Sequence, residues 1–156
     1  MSIHLSSQKI IKDWIDYNDH MNVSYYLLIF DKFGADTLND IFKMGEHSAK
    51  TTKKSTMVVE THTNYLKEVK ENEEVTVSLS HFNHDKKRLH YKLEMHEKST
   101  NSLSATTEVL ALYMNLNERK VSEFEKEKVE IMDKFINVNK SNFKSDDLVF
   151  TKKLKI

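Results

Sequence analysis

Asp16-Tyr17-Asn18-Asp19-His20-Met21-Asn22-Val23-Ser24-Tyr25-Tyr26 is the stretch at which the chain changes its period. Just before it, Gln8-Lys9-Ile10-Ile11-Lys12-Asp13-Trp14 carries β-formers at Ile10, Ile11 and Trp14, which predicts a first strand over residues 8–14. After it, Tyr25, Tyr26, Leu28, Ile29, Phe30, Phe33, Leu38, Ile41 and Phe42 recur at helical spacing, which predicts one long apolar helix of about five to six turns. Asn22 is suited to cap its start, because a side-chain oxygen there can accept an N–H of the first turn. Gly45 marks its expected end.

From Thr56 onward the period falls to two. Residues 57–65, 74–82, 88–95 and 103–116 read as four strands, with turns at Lys70-Glu71-Asn72, Asn83-His84-Asp85-Lys86 and Lys98-Ser99-Thr100-Asn101. Turns this short imply antiparallel neighbours. The polar, lysine-rich segment 46–55 reads as a short helix or ordered loop. Ser122-Glu123-Phe124-Glu125 matches a capping box opening a last helix that runs to about Phe135. The order of elements is α+β, a single domain over 1–136 in which an antiparallel sheet wraps a long central helix, the hotdog arrangement. Residues 137–156 are poor in apolar side chains and are expected to be a loosely docked or disordered tail.

Composition removes several classes of function. Lysine plus arginine and aspartate plus glutamate both number 24, so no global basic field exists to hold nucleic acid. Cysteine is absent, which excludes a disulfide scaffold, a thiolate nucleophile and any Cys-based metal site. Glycine occurs only at Gly34 and Gly45, so no glycine-rich phosphate loop can be built. Met1-Ser2-Ile3-His4-Leu5 lacks the basic start and apolar run of a signal peptide, and no stretch is long enough to span a bilayer. These features lead to the expectation of a cytoplasmic protein with no membrane or nucleic-acid partner.

The opening stretch crowds a carboxylate, an amide and an imidazole just ahead of a helix start. A thioester hydrolase needs a group to activate water and fixed N–H donors where negative charge grows on the carbonyl oxygen. The first-turn N–H groups around Asn22, Val23 and Ser24, at the positive end of the helix dipole, can supply those donors without metal or cofactor. The same Asp-x-Asn-Asp run also suits a plain turn with an N-cap. Here the chain resembles a known family. Asp16 to Asn22 is similar to the D-x-x-G-H-x-N motif of hotdog thioesterases of the 4-hydroxybenzoyl-CoA thioesterase type, and its D-x-N-x-H core resembles plant acyl-ACP thioesterases. Glu60-Thr61-His62-Thr63-Asn64-Tyr65-Leu66-Lys67-Glu68, Asp85-Lys86-Lys87-Arg88-Leu89-His90 and Ala105-Thr106-Thr107-Glu108 add a resemblance to the betainyl-CoA thioesterases of carnitine breakdown, over residues 8–130 in all.

That resemblance implies Asp16 as the catalytic carboxylate, acting as general base or nucleophile. It implies Asn18 as holding the water or thioester oxygen, and His20 as orienting the loop or polarising a reacting group. Two departures stand out: Asp19 and Asn72 occupy positions where the family commonly has glycine. Asp and Asn tolerate positive φ better than most residues, though less well than glycine.

For substrate contacts the candidates are Asn22, Val23, Tyr25 and Tyr26 at the helix start, Glu60 and His62 on one face of a strand, and Lys86-Lys87-Arg88, where cations can meet coenzyme A phosphates. Solvated or paired surface charges are the rival reading for these last two groups. Glu108, in an otherwise apolar strand, is either paired internally or turned to water. Trp14, Tyr17, Tyr25 and Tyr26 around Asp19 suggest a pocket for a quaternary ammonium, as in betainyl-CoA; packing of the tyrosines on the sheet is the alternative. The expected activity is hydrolysis of a small or medium acyl-CoA. A non-catalytic acyl-CoA-binding hotdog module and a hotdog dehydratase or hydratase are the alternatives. A sheet edge beside a marginal pocket leads us to expect a homodimer, or a tetramer of paired dimers.

Overall fold

In the computed structural model, which describes residues 2–156, six antiparallel strands form one curled sheet around a central helix. Strand β1 (Ile3–Lys9) leads through a 3-10 turn (Lys12–Trp14) to helix α1 (Val23–Phe30). A π-helical turn (Asp31–Ala35) carries α1 without a break into α2 (Asp36–Ile41), and α3 (Glu46–Thr51) precedes the sheet. The long strands are β2 (Lys54–Tyr65), β3 (Glu74–His84), β4 (Arg88–Glu97) and β5 (Ser102–Asn115). A two-residue β6 (Lys120–Val121) and helix α4 (Lys126–Asn139) follow.

The spatial order is β1-β3-β4-β5-β2, with β6 beside β5. The meander expected from short turns therefore holds for β3, β4 and β5 but not for β2. Residues 66–73 carry the chain from the β2 edge across to β3, next to the opposite edge, so β2 pairs with β5 (His62 opposite Glu108) and β1 takes the edge beside β3. The first strand also lies earlier than its β-formers suggest. Ile10 is fully buried, and its carbonyl accepts Asn72 N–H. Residues 12–14, expected to be extended, instead close the turn that delivers the motif loop.

The helix buries Ile29, Phe30, Leu38 and Phe42 against Val77, Leu79, Tyr91, Leu93 and Met95 of the sheet. Gly34, inside the π turn, lets it come this close: a Cβ there would stand 2.9 Å from both Leu93 Cδ1 and Val77 Cγ1, tighter than packed cores allow. The helix does not end at Gly45. It ends at Lys43, which takes φ 59° while Met44 N–H bonds Asn39 O and Lys43 N–H bonds Asp40 O, the paired bonds of a Schellman close. Gly45 instead precedes α3, where a Cβ would collide with the Asp40 carboxylate.

The expected capping box at 122–125 does not form either. Ser122 Oγ donates to Glu123 O, and the Glu125 carboxylate is taken by the Tyr113 hydroxyl (2.8 Å) and by Lys54 (3.3 Å). The C-terminal tail is held by specific contacts where composition suggested loose attachment. Phe150 and Leu154 are buried with Leu110, and Lys144, Val149, Phe150 and Lys155 all donate backbone N–H bonds to the sheet or its hairpin.

Candidate active site

The motif loop is built from backbone bonds that leave one carboxylate in the open. Ile15 and Met21 form an isolated antiparallel bridge, and Asp16 N–H donates to His20 O across the loop. Asp19 closes the turn at φ 63°, and Asn72, just before β3, sits at φ 68°. Both positions of departure from the family's glycine pattern are thus left-handed, and each carries a side chain that tolerates that region. The loop is tied to the rest of the fold by Met21 N–H to Val69 O (2.7 Å) and Asn22 N–H to Trp14 O (2.9 Å). Met21 and Val69 are fully buried, so the loop cannot drift from the sheet without opening the core.

Asp16 is half-buried, and each of its oxygens has one donor: Asn18 N–H on Oδ1 (2.8 Å) and Asn22 Nδ2 on Oδ2 (3.2 Å). Asn22 caps the helix with its other end, because its Oδ1 accepts both Ser24 N–H (3.0 Å) and Ser24 Oγ (2.6 Å). A single carboxamide therefore couples the carboxylate to the helix start. The donors of the first turn can then be accounted for one by one. Asn22 N–H goes to Trp14, Ser24 N–H to the cap and Tyr25 N–H to Asn22 O. Val23 N–H alone takes no partner among the described residues, and Val23 is exposed. It is the one donor free to meet a carbonyl oxygen, at the positive end of the helix dipole.

The other candidates divide. Asn18 contributes its backbone N–H to Asp16, while its side chain is open to solvent. His20 lies partly exposed in the same loop, its Nδ1 3.2 Å from Met21 O, a contact that holds the ring plane. Tyr25 stacks on Trp14 with centroids 5.8 Å apart. Tyr26 is buried and gives its hydroxyl to Lys67 O, so it packs the helix and does not face a ligand. The aromatic enclosure around Asp19 is not assembled, since Tyr17 is 96% exposed and Tyr26 is turned inward.

Glu60 and His62 also lie elsewhere. Glu60 pairs with Lys153 of the tail, and His62 lines a cleft of about 670 Å³ with Lys92, Glu94 and Lys144 on the face of the sheet away from the helix. Lys86, Lys87 and Arg88 occupy the β3–β4 hairpin, at the far end of β3 from the motif loop and roughly 33 Å away at strand rise. Arg88 is engaged there by Asp85 (2.9 Å), which also accepts the N–H groups of Lys87 and Arg88. Within one protomer these cations do not join Asp16. Among the described residues, no three or more His, Cys, Asp or Glu side chains converge as metal ligands.

Sequence reading missed the cavity that flanks the helix. It measures about 200 Å³, lies between the helix and strands β2, β4 and β5, and begins at Leu27, one turn beyond Val23. Its lining residues come from four separate elements, and no local pattern announces it.

A model of the thioesterase-like superfamily matches residues 11–135, most of the chain, and the chain belongs to that superfamily. Among characterised proteins it is similar to the betainyl-CoA thioesterase of Pseudomonas aeruginosa, 30% identical over 118 residues that cover 76% of this chain and 74% of the relative. Among solved structures, a Staphylococcus aureus protein in complex with CoA superposes with a TM-score of 0.74 at 24% identity, covering 100% of this chain and 96% of that one. A DHNA-CoA thioesterase, also from Staphylococcus aureus, superposes at 0.77 with 14% identity, covering 87% and 92%. The shared fold is the hotdog fold.

Proposed function

We propose that this protein hydrolyses a short acyl-CoA thioester, with Asp16 as the catalytic carboxylate and Val23 N–H as the donor to the thioester oxygen. The observation that carries the reading is the Asn22 bridge, which fixes a half-open carboxylate beside an N–H of the helix start that has no partner among the described residues. As the carbonyl carbon is attacked, negative charge moves onto its oxygen. A fixed donor aimed at that oxygen stabilises the transition state more than the ground state. Asp16 either removes a proton from the attacking water or attacks the carbonyl itself; each route needs a carboxylate held in one orientation with a lone pair to spare. Asn18 borders the carboxylate, where it can hold water, and His20 steadies the loop.

Several features support the acyl size and the assembly. The cavity of about 200 Å³ beyond Val23 is smaller than an ordinary ligand site of roughly 300–1,000 Å³, which suits a short acyl group. The Pseudomonas relative's name specifies betainyl-CoA, a short cationic thioester, and we take that class as the finer proposal for this chain. Strand β2 is a twelve-residue edge with Met57, Val58 and Val59 exposed in succession, an edge that favours pairing with a second copy into a homodimer. The test is a panel of short acyl-CoAs with coenzyme A thiol release monitored, run on the wild type and on Asp16→Asn. Turnover by the wild type and its loss in the variant support the reading. Tight binding of acyl-CoA with no thiol release would make the protein a binding module instead.

A further inference from the structure

The cleft on the outer face of the sheet, about 670 Å³, lies within the size range of small-molecule sites and opens on the side away from the helix. Strand register sets out its floor in rows. Lys92 of β4 stands opposite Glu108 of β5, which stands opposite His62 of β2. One pleat along, Glu94 is opposite Thr106 and Thr106 is opposite Asn64. The next row carries Leu103, with Leu66 beside it through the bond from Leu66 N–H to Ser104 O. Successive rows are about 7 Å apart at strand rise.

These rows hold polar groups that the fold leaves without partners. Thr106 is 7% exposed and lines the cleft, and its hydroxyl makes no hydrogen bond among the described residues. Glu94 is 8% exposed; its Oε1 accepts Ser2 Oγ (2.7 Å) and Lys144 Nζ (3.4 Å), while Oε2 has no donor among the described residues. Lys92 is partly buried and enters none of the ion pairs formed among the described residues. The carboxylate opposite it, Glu108, is already committed to His90 and two tail amides. Polar groups this buried are ordinarily paired, so their open valences mark a place where a ligand can supply the partners. The tail wall adds Asp146 and Asp147, and in the last row Leu66 is 57% exposed.

We propose that the outer cleft binds a free α-amino acid with an apolar side chain, a second site independent of the thioester reading. From row to row the floor offers a cation, then acceptors, then apolar surface, and such a ligand carries the complementary groups in the same order. Its carboxylate pairs with Lys92, whose flexible four-carbon stem can lean toward the middle row. Its ammonium donates to Glu94 Oε2 and to the Thr106 hydroxyl oxygen, and its side chain covers Leu66 and Leu103. Both charges are needed. The charged groups around the cleft are Lys92 and Lys144 against Glu94, Asp146 and Asp147, with His62 at the rim. A simple organic anion therefore meets an excess of carboxylates, and a simple amine leaves Lys92 unpaired. Pairing of a second copy along β2 would use backbone groups in the plane of the sheet and leave His62 and Asn64 facing the cleft.

The experiment is calorimetric titration of the full chain with L-leucine and with three compounds that each lack one of its groups: isocaproate without the ammonium, isoamylamine without the carboxylate, and glycine without the side chain. We expect L-leucine to bind with a Kd of about 1 mM or tighter, and each of the other three to bind at least about tenfold more weakly. Lys92→Met, which keeps the stem, and Thr106→Val, which keeps the shape, should each weaken L-leucine by about tenfold while thermal melts show them folded. In the wild type, L-leucine should shift the backbone amide resonances of His62 and Thr106 and leave those of Asp16 to Val23 in place, a readout that needs no variant. Excess coenzyme A should not displace it. Absence of L-leucine binding, equal binding of isocaproate or isoamylamine, or shifts confined to the motif loop overturn the proposal. Displacement by coenzyme A also overturns it, because the cleft would then belong to the thioester site.

Discussion

Asp16 and Glu108 are both carboxylates that accept backbone amides, and they occupy opposite surroundings. Glu108 is 1% exposed and saturated: Val149 N–H, Phe150 N–H (2.7 Å) and His90 Nε2 (2.7 Å) all converge on it. Burial alone would raise its pKa, but the two amides and the imidazole outweigh burial and hold it below the ordinary value. Beside it, burial and then the neighbouring His90 push His81 down to about 4. Perturbed titrating groups gather at active sites often enough to serve as a search signal, and on that signal alone the outer face would be chosen. Its carboxylate has no room left for a substrate. Asp16 has one donor on each oxygen and an open side. The contrast separates an anchor, in which hydrogen-bonding capacity is used up, from the carboxylate we propose as reactive, in which some is kept free.

Substitutions at the two carboxylates should therefore fail in opposite ways. Asp16→Asn should lower turnover about a thousandfold or more, roughly 4 kcal/mol in barrier, while thermal melting stays within a degree or two of wild type. Glu108→Ala should cost about 3–5 kcal/mol of stability by leaving buried His90 and the tail amides of Val149 and Phe150 without their acceptor, and should speed hydrogen exchange at Val149 and Phe150. Its folded fraction should keep near-normal kcat. If Glu108→Ala abolishes turnover in protein that is demonstrably folded, the distinction between anchor and reactive group breaks down.

Acid sharpens the contrast further. A histidine whose folded pKa is depressed binds its proton more readily in the unfolded chain, so its contribution is complete above the unfolded value near 6.5 and is lost as pH falls toward 4. Urea melts should show about 2 kcal/mol of stability lost between pH 7 and pH 5, and His81→Leu should flatten that slope. Glu108, also depressed, adds a loss at lower pH, below the ordinary carboxylate range. The smallest effect belongs to Tyr17→Ala. This side chain is almost wholly exposed, so stability should move by no more than about 0.5 kcal/mol, and the ratio of cationic to neutral acyl-CoA turnover should not change. A drop in that ratio would restore the aromatic enclosure around Asp19.

Much of the fold was legible because the signals were local. The helical spacing from Tyr25 to Phe42, the period of two in the long strands and Asn22 as N-cap depend on residues a turn or a pleat apart. The motif loop was visible through its resemblance to the family motif, while the left-handed backbone at Asp19 and Asn72 is a finding of the structure. Where neighbouring residues carried conflicting signals, the reading slipped. Ile10, Ile11 and Trp14 look like a strand, but β1 is set by pairing with β3 through Leu79 to Glu74, and the serines of Ile3–Lys9 hide it. The 122–125 box has the right spacing, yet Glu125 is drawn away by Tyr113 and Lys54 from other strands.

By itself, then, the sequence determined the long helix, the four long strands, their α+β order and the loop that brings Asp16 to a helix start. Periodicity and capping are settled within a few residues, where loop-closure entropy is small. Only the tertiary structure decided that β2 leaves β3 for the far edge, that Phe150 and Leu154 find a buried site on Leu110, that Glu60 and His62 face away from the helix, and that Asp31 meets an apolar cavity. Each of these depends on which surfaces meet across long chain separations. Burial, a property of the whole packed arrangement, decides that, and no stretch of sequence carries it alone.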